Sequence, residues 1–481
     1  MKLINPLVIL RILSTILFLE TVCFLLCLPV ALVYKEDPYP FIWSALSTLS
    51  LSVVFFIVSW KVRIENISNR EGFLSVTAGW LAFTCLGTLP FIFSGALPSF
   101  VDAFFETASG FSTTGASVIG NVEILPQSVI FWRSFTHWIG GLGIIVLVIL
   151  ILPSLRITAQ NLLFRESSLK EKTHPKTKAV GLRLLYIYLG LTLSEVLLLM
   201  AGDLAFFDSL CLTFGTVATG GFAIKNSGVT AYSSYIQYII GLFMFLSGVS
   251  FVVYYHFIKL NFRKITGNEE LRFYAVTTLL AGALATAVLL ANTNKSFEPA
   301  FREGFFQVIS FITTTGFSTA DYLMWPVAGQ FLMFLLLFTG ASTGSTTGGI
   351  KMLRHLVVVK NIRSAYVKLV HPKTVSHTRI FNKPVSEQTN VSILSFIILY
   401  LVIFITGSFI IVISGVDLVT GVSAVAASLG NVGPAFGTAG PMSNFAHFSG
   451  FNKIFLSLLM IIGRLEIYTV FVLFARSFWR L

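Results

Sequence analysis

Four segments of the chain share one pattern and decide its fold: FFETASGFSTTGASVI (104–119), DSLCLTFGTVATGGFAI (208–224), FFQVISFITTTGFSTADY (305–322) and AVAASLGNVGPAFGTAG (424–440). Each begins with apolar or small residues over the length of a short helix and ends in a tetrapeptide whose third residue is glycine. The first of these glycines is Gly115, and the next three follow after 105, 96 and 117 residues. Self-similarity with so long a period indicates one structural unit that occurs four times.

Long apolar runs flank these segments and place the chain in a membrane. Hydrophobic residues make up 55% of the sequence and charged residues 11%, against about 25% charged in an ordinary soluble domain. About 20 apolar residues span the hydrocarbon core of a bilayer. Ten such runs are present, at 7–33, 41–60, 72–97, 128–152, 183–201, 232–258, 273–292, 325–350, 390–415 and 452–476. The first run is longer than the apolar part of a signal peptide, so we expect it to remain as an anchor.

The runs and segments together predict an all-α polytopic membrane protein. We expect two N-terminal helices, followed by four pseudo-repeated helix–pore-loop–helix units around one central pore. The predicted limits are 1–68 for the N-terminal helices and 69–155, 179–260, 270–362 and 388–481 for the four repeats. Each of the four segments is too short to cross a bilayer and too apolar for an ordinary loop, which is typical of a pore loop.

A pore loop of this composition suits a cation pathway. Non-helical backbone at membrane depth persists only where it is buried in protein or lines a wet cavity. Glycine allows positive φ, so consecutive carbonyl groups can turn toward one axis. A ring of such carbonyls can replace the hydration shell of a monovalent cation, and the C-terminal dipole ends of the short helices also favour a cation. The sequence therefore predicts passive, gated cation conduction.

The charge distribution predicts the orientation in the membrane. The chain carries 33 Lys and Arg against 21 Asp and Glu, a net charge of +12. The basic residues cluster between alternate spans, at 61–70, 156–178, 259–264 and 351–383, while the other loops are nearly bare. This asymmetry places the basic loops and both termini in the cytoplasm. We do not expect nucleic-acid binding, which requires a basic face on a folded soluble unit.

The sequence shows no pattern that indicates an enzyme. The four cysteines lie in apolar runs without metal-ligand spacing, and no nucleophile–base pair or His/Cys/Asp cluster stands out. GSTTGGIK (344–351) ends in Gly-Ile-Lys and lies in an apolar run, so it does not match a phosphate-binding loop. We therefore expect no cofactor in this chain, and any nucleotide control must come from a partner.

Two features of the sequence are candidates for a gate. The eighth run holds four glycines within residues 339–349, and each costs a helix interior about 1 kcal/mol. This composition favours a mobile loop beneath the pore over a glycine-rich helix contact. The glycines are Gly340, Gly344, Gly348 and Gly349.

The second candidate is Arg464 in the tenth run. A charge inside a bilayer is a functional candidate by default. Glu466 is two residues away, so the two side chains point to different helix faces and are not expected to pair. We predict that Arg464 faces the pathway near the loop, as a barrier to cations or a partner of the loop carbonyls. The alternative is a structural salt bridge to another helix.

For the other ionisable residues, the sequence gives weaker indications of a function. Acidic residues recur near the starts of the short helices, where N-capping is one explanation and a negative outer mouth is the other. They are Asp102, Asp208, Glu298 or Glu303, and Asp417. Glu106 is expected to brace the first segment through a buried hydrogen bond. No function is assigned to Glu195, Arg133 or His137.

Taken together, these motifs resemble those of the membrane subunits of Trk-type potassium uptake systems (TrkH and TrkG), in the superfamily that includes KtrB. STTGAS, ATGGF, TTTGFST and GNVGPAFG occupy the four filter positions, and GSTTGGIK and GRLEIYTVFVLF (463–474) resemble the third-repeat loop and the last helix of that family. The resemblance covers nearly the whole chain. It implies potassium as the permeant ion and the bacterial inner membrane as the location.

The resemblance also implies partners and ion-coordinating residues. The partners are a second copy of the chain, each with its own pore, surrounding lipids, and a cytosolic nucleotide-binding ring (TrkA) that controls gating. The implied ion-coordinating residues are Thr113, Thr114, Gly115, Ala218, Thr219, Gly220, Thr314, Thr315, Gly316, Asn431, Val432 and Gly433. A potassium symporter coupled to sodium or protons is the alternative, although its usual inverted repeats and midplane acidic relay are not evident.

Overall fold

The structure, a computed structural model, describes residues 4–62, 68–150, 174–374, 378–381 and 383–479. Within the helical stretches 144–150 and 174–180, only the backbone is described. Most of the predicted basic cluster at 156–178, residues 63–67 of the first cluster, and the repeat limits at 155 and 481 therefore lie outside the described residues.

The described residues form twenty α-helices and four two-residue strands. The helices are α1 (Pro6–Val33), α2 (Tyr39–Val58), α3 (Asn69–Leu86), α4 (Leu89–Phe93), α5 (Phe100–Phe111), α6 (Gln127–Leu150), α7 (His174–Met200), α8 (Phe206–Val217), α9 (Ser234–Ser247), α10 (Phe251–Ile258), α11 (Phe262–Thr266), α12 (Glu269–Asn292), α13 (Phe297–Ile312), α14 (Val327–Leu336), α15 (Met352–Val370), α16 (Glu387–Ile413), α17 (Leu418–Gly430), α18 (Gly450–Arg464), α19 (Tyr468–Phe471) and α20 (Arg476–Trp479). The strands are β1 (Thr339–Gly340) with β2 (Ile350–Lys351), which are parallel, and β3 (Arg379–Ile380) with β4 (Lys383–Pro384), which are antiparallel.

The long helices confirm the predicted polytopic all-α fold class. Among the described residues, six helical stretches are long and apolar enough to cross a membrane: α1, α2, α3 with α4, most of α7, α12 and α16. Two further pairs are bent, α9 with α10 by 96° and α18 with the stretch Tyr468–Phe474 by 104°. The predicted run 325–350 is not one helix, because α14 ends at Leu336 and helix resumes at Met352. The break contains the glycine-rich stretch, where glycine disfavours helix.

Four short helices, α5, α8, α13 and α17, lead into the four glycine segments. They have 12, 12, 16 and 13 residues, too few to span a bilayer. Three of them pack against the second long helix of the preceding repeat: α8 against α6, α13 against α9, and α5 against α18. The last of these contacts brings the fourth of the predicted repeats against the first.

The helix starts follow ordinary capping chemistry. Ser68 and Glu71 form a reciprocal capping box at the start of α3, and Glu71 also accepts a hydrogen bond from the Asn5 backbone N–H at 3.0 Å. Ser99 caps α5 and Asp417 caps α17 through side-chain oxygens. The two N-terminal helices, α1 and α2, pack mainly on each other, and α1 also lies against α3 and α6. This outer placement leaves the four glycine segments at the centre.

Candidate functional site

The four glycine segments adopt one backbone conformation. In each, the first and third residues have positive φ, for example Thr113 (53°) and Gly115 (85°). The middle N–H donates a hydrogen bond to the carbonyl five residues earlier, as from Thr114 to Ser109 at 2.8 Å. We call these three-residue stretches the ring segments. They are 113–115, 219–221, 314–316 and 431–433, and the equivalent hydrogen bonds are 2.7 Å, 2.8 Å and 2.9 Å long in the second, third and fourth.

The ring segments close on one another. A methyl group on the third-position glycine of any segment would fall inside van der Waals contact with the middle carbonyl oxygen of the next segment. The facing residues, taken around the circle, are Gly115 with Gly220, Gly221 with Thr315, Gly316 with Val432, and Gly433 with Thr114. Positive φ and this close approach both require glycine at the third position.

The second ring segment corrects the alignment made from sequence. There the positive φ values belong to Thr219 (56°) and Gly221 (79°), so the equivalent triplet is Thr219-Gly220-Gly221. Ala218 lies outside it, as the C-cap of α8 with φ of −76°. The predicted alignment placed Ala218 first and Gly220 third. It was wrong by one residue because this segment contains two adjacent glycines.

With the corrected alignment, every first position carries a side-chain oxygen. These residues are Thr113, Thr219, Thr314 and Asn431, and all four are buried. Asn431 links the fourth segment to the first, because its Nδ2 donates to Thr114 Oγ1 at 3.0 Å and to the Met460 carbonyl at 2.8 Å. The ring is therefore held by side chains as well as by backbone hydrogen bonds.

Glu106 braces the first segment, as its position in the sequence predicts. Its carboxylate accepts hydrogen bonds from Ser117 Oγ at 2.9 Å and from the Val118 N–H at 2.9 Å, just after the segment. It also forms a buried salt bridge with Arg133 Nε at 2.7 Å. Arg133 extends the brace to the second repeat, because it donates to the Ala223 carbonyl at 2.8 Å. A buried pair of this kind persists because both charges are paired and hydrogen-bonded.

The glycine-rich loop 339–349 lies against the first positions of the ring segments. The Gly348 N–H donates to Thr314 Oγ1 at 2.7 Å, and Thr346 Oγ1 donates to the Val217 carbonyl at 3.2 Å. A side chain on Gly348 would collide with Gly430 and Asn431. The loop therefore contacts the second, third and fourth repeats directly beside the ring.

The other gate glycines also lie where side chains do not fit. A methyl group on Gly340 would fall inside van der Waals contact with the Gly348 carbonyl oxygen, and Gly344 and Gly349 have φ of 77° and 63°. Glu270 ties the loop to the start of α15, because its carboxylate accepts from the Thr343 N–H, within the loop, at 2.6 Å and from the Leu353 N–H, in the first turn of α15, at 3.1 Å. Sequence reasoning missed Glu270, whose position in the first turn of α12 suits an ordinary helix start.

Arg464 lies where the sequence predicts, beside the loop. It is 2% exposed, its Nη1 donates to the Thr346 carbonyl at 2.5 Å, and its Nη2 donates to the Gly140 carbonyl at 3.2 Å. Its partners among the described residues are thus carbonyl oxygens, one of them on the loop, whereas the structural alternative required a carboxylate on another helix.

Glu466 points away from Arg464 and pairs with Arg354, in the first turn of α15. The pair joins the helix that follows the loop to the break between α18 and α19. Glu466 and Ile467 have φ of 59° and 33° at this break, and positive φ is costly for a β-branched residue. Lys351 adds a further positive charge, donating to the Thr347 carbonyl and hydroxyl. The layer beside the loop is therefore strongly charged.

The acidic residues near the short helices differ in their roles. Asp417 is an N-cap and accepts from the Thr420 N–H at 3.1 Å. Asp102 lies in the first turn of α5 and pairs with Lys453 at 2.6 Å. Glu298 and Glu303 pair with Arg302 and Lys295, respectively. Asp208 lies in the first turn of α8, and Glu195 is fully buried on α7. Capping therefore explains Asp417 but not the other three starts.

The family model and the related proteins that match this chain all point to one family. The family model described as a cation transport protein (TrkH) matches residues 48–481. The chain is 33% identical to the Trk system potassium uptake protein TrkH of Halomonas elongata, over 98% of this chain and 99% of that protein. It is 33% identical to TrkH of Escherichia coli K12, over 88% of this chain and 89% of that protein. This chain belongs to the TrkH family.

A solved structure shows that this chain also has the fold of TrkH. The crystal structure of the potassium transporter TrkH from Vibrio parahaemolyticus matches with a TM-score of 0.92 and 30% sequence identity, over 99% of this chain and 100% of that chain. The chain is therefore a multi-pass membrane protein of the TrkH family of potassium uptake transporters, and the resemblance read from its sequence is confirmed.

Proposed function

We propose that this chain is the pore-forming subunit of a potassium uptake system and that the four ring segments are its selectivity filter. The closed ring carries the proposal, because four segments of different sequence share one conformation and one hydrogen-bond pattern. A ring of backbone carbonyls can replace the hydration shell of a potassium ion, and its selectivity depends on the number and geometry of those carbonyls.

The corrected alignment changes the proposed set of ion-coordinating residues. Gly221 joins the set and Ala218 leaves it. The first positions then add side-chain oxygens on the loop side of the ring, and Thr113 Oγ1 and Asn431 Oδ1 are buried without a hydrogen-bond partner in the described structure. Buried oxygens normally have partners. A permeating cation would supply one at these two positions.

The loop 339–349 and Arg464 form the proposed gate. The loop lies directly beside the first positions of the ring, and the guanidinium of Arg464 holds its Thr346 carbonyl. A fixed positive charge in a low-dielectric pathway repels a cation, so this arrangement opposes conduction while the loop is in place. Gating then consists of displacing the loop and its Arg464 contact.

Helix α15 is the proposed link between the gate and a regulatory partner. Helix α15 follows the loop without a linker, so a force on α15 acts directly on the gate. We assign that force to a cytosolic nucleotide-binding ring of the TrkA type, and we expect a homodimer in the bacterial inner membrane with both termini cytoplasmic. The names of the relatives, which describe a Trk system, and the basic residues of α15, which suit a cytoplasmic location, support this assignment.

Uptake in living cells tests the proposal. The chain is expressed in bacteria that lack their own potassium uptake systems, and potassium and sodium uptake are followed at limiting potassium. We expect growth and selective potassium uptake. Equal uptake of sodium and potassium, or no uptake by protein that is present in the membrane, would contradict the proposal.

A further inference from the structure

His137 lies behind the second ring segment although it belongs to helix α6 of the first repeat. Its imidazole is fully buried, with Nδ1 2.8 Å from the Gly110 carbonyl oxygen and Nε2 3.2 Å from the Phe222 backbone nitrogen. Because a carbonyl oxygen only accepts, Nδ1 carries the hydrogen, and Nε2 accepts from the Phe222 N–H. The two ring nitrogens therefore join two backbone groups: the carbonyl of Gly110, in the short helix α5 of the first repeat, and the N–H of Phe222, directly after the second ring segment.

The second segment differs from the other three at its middle position. In the first and third, the middle residue is threonine, and its hydroxyl is hydrogen-bonded: Thr114 to Ser112 Oγ at 2.6 Å and Thr315 to Thr313 Oγ1 at 2.8 Å. In the fourth it is Val432, which is fully buried. In the second it is Gly220, which has no side chain to hold the segment in place.

The imidazole of His137 occupies the volume of that missing side chain. The three atoms nearest to where a side chain on Gly220 would begin are Cγ, Nδ1 and Cδ2 of His137. The φ of Gly220 is not in the left-handed region, unlike that of Gly221. Backbone conformation therefore does not require glycine at position 220, and what excludes a side chain there is the histidine ring.

We propose that His137 is a positioning residue that fixes the Gly220 carbonyl in the ring and thereby sets the preference for potassium over sodium. This inference rests on the proposed role of the ring segments as a filter. Two consecutive glycines are the most flexible part of the ring, since glycine loses the most conformational freedom on ordering. The imidazole packs against Gly220, is anchored to α5 through the Gly110 carbonyl and holds the Phe222 N–H, and it thereby removes that freedom.

Arg133 also joins the first repeat to the second, but it contacts residues that follow the second ring segment. Its guanidinium lies over the Phe222 ring, 3.6 Å from the centroid, and it binds the Ala223 carbonyl. His137 instead contacts Gly220 itself. We therefore predict that substitutions at positions 137 and 220 are coupled in their effect on selectivity.

A reciprocal pair of substitutions tests this prediction. H137A removes both hydrogen bonds and leaves a buried N–H without a partner, so we expect the potassium-to-sodium permeability ratio to fall about tenfold. G220A places a methyl group against the imidazole, and we expect a loss at least as large. In H137A/G220A the methyl group enters the space that the ring vacates. We expect the ratio of the double variant to return to within about threefold of the wild-type value, which is a strong positive coupling.

The permeability ratio is measured with purified protein in liposomes under bi-ionic potassium and sodium gradients. H447A is the control, because His447 is exposed in the structure and its Nε2 lies 2.8 Å from Thr438 Oγ1, away from the ring. A merely structural role for His137 would lower potassium and sodium fluxes together and leave their ratio unchanged.

The outcomes separate this inference from the proposed function. If the wild type shows no selective potassium flux, the filter proposal fails. If the wild type is selective and H137A keeps its ratio, the assignment of His137 fails and the filter stands. If either single variant does not fold, recovery of folded, selective protein in H137A/G220A supports the inference, and failure of the double variant to recover overturns it.

Discussion

The ring segments and the layer beside their first positions are built on different principles. The ring repeats one backbone conformation four times and contains no charged residue. The adjoining layer uses each of its parts once: the loop 339–349 of the third repeat, Arg464 of the fourth, and the Arg354–Glu466 pair that joins the two. The first region is defined by backbone geometry and the second by charge.

This difference explains why the four repeats have diverged in sequence without losing the ring. Backbone hydrogen bonds and positive φ give all four segments one conformation, and the third-position glycine is the residue that all four share. Gating of the pore requires one movable loop and one fixed charge. Four identical repeats would carry four copies of each, so the loop and Arg464 each occur in one repeat only.

The largest effect is expected from a change in the ring. G316A places a methyl group at φ of 82° and inside van der Waals contact with the Val432 carbonyl. We expect loss of selective potassium uptake in cells. G95A is the matched control, because Gly95 also has positive φ (72°) but nothing lies within 4 Å of an added methyl group. Both variants carry the backbone strain of about 1–2 kcal/mol. Normal uptake by G316A would show that the ring is not the filter.

A smaller effect, in the opposite direction, is expected from the charged layer. R464A removes two charge-assisted hydrogen bonds, one of them to the loop. Each such bond contributes about 1.5–3 kcal/mol, so we expect resting potassium flux to rise about tenfold or more. R476A is the control, because Arg476 is exposed on α20. Flux and nucleotide response that match the wild type in R464A would exclude Arg464 from the gate.

The Arg354–Glu466 pair should contribute both to stability and to closure. E466Q leaves the buried Arg354 guanidinium without a carboxylate, and we expect unfolding in detergent to become easier by about 3 kcal/mol. We also expect a several-fold rise in resting flux, because α15 is released from the break after α18. E269Q is the control, since the Glu269–Lys360 pair is partly exposed and worth under about 1 kcal/mol. Equal melting temperatures for the two variants would refute this role.

The smallest effect is expected at the start of the fourth short helix. Hydrogen bonds from Thr420 hold the pKa of Asp417 below its ordinary range, so it is charged at neutral pH and loses that charge only as pH falls through the lowered value. D417N keeps the capping oxygen and removes the charge. We expect uptake to change by less than about twofold, because capping is the main role. A larger loss at low potassium that disappears at high ionic strength would favour the negative outer mouth.

The fold and most of the ring could be predicted from the sequence because their signals are local. Apolar runs, the recurring glycine and the glycine-rich stretch each lie within a short window. The alignment of the second segment failed because ATGG offers two glycines. The better guide was the phenylalanine that follows, since Phe222 in TGGF matches Phe317 in TTGF.

The contacts that support the ring could not be read from the sequence. His137 and Phe222 are 85 residues apart, and Arg354 and Glu466 are 112 apart. Such pairs depend on how the repeats close into a circle, which no local pattern encodes. Glu106 was anticipated because it lies in the same segment that it braces, whereas Glu270 reaches a loop 73 residues away.

The central claim is that potassium moves down its own gradient through the ring once the loop and Arg464 no longer oppose it. The most direct measurement is potassium and sodium flux through the purified wild type and R464A in liposomes, with and without imposed proton and sodium gradients. We expect potassium flux driven by the potassium gradient alone, faster in R464A and selective over sodium in both. Potassium movement that occurs only when a proton or sodium gradient is imposed would contradict the claim and identify a symporter.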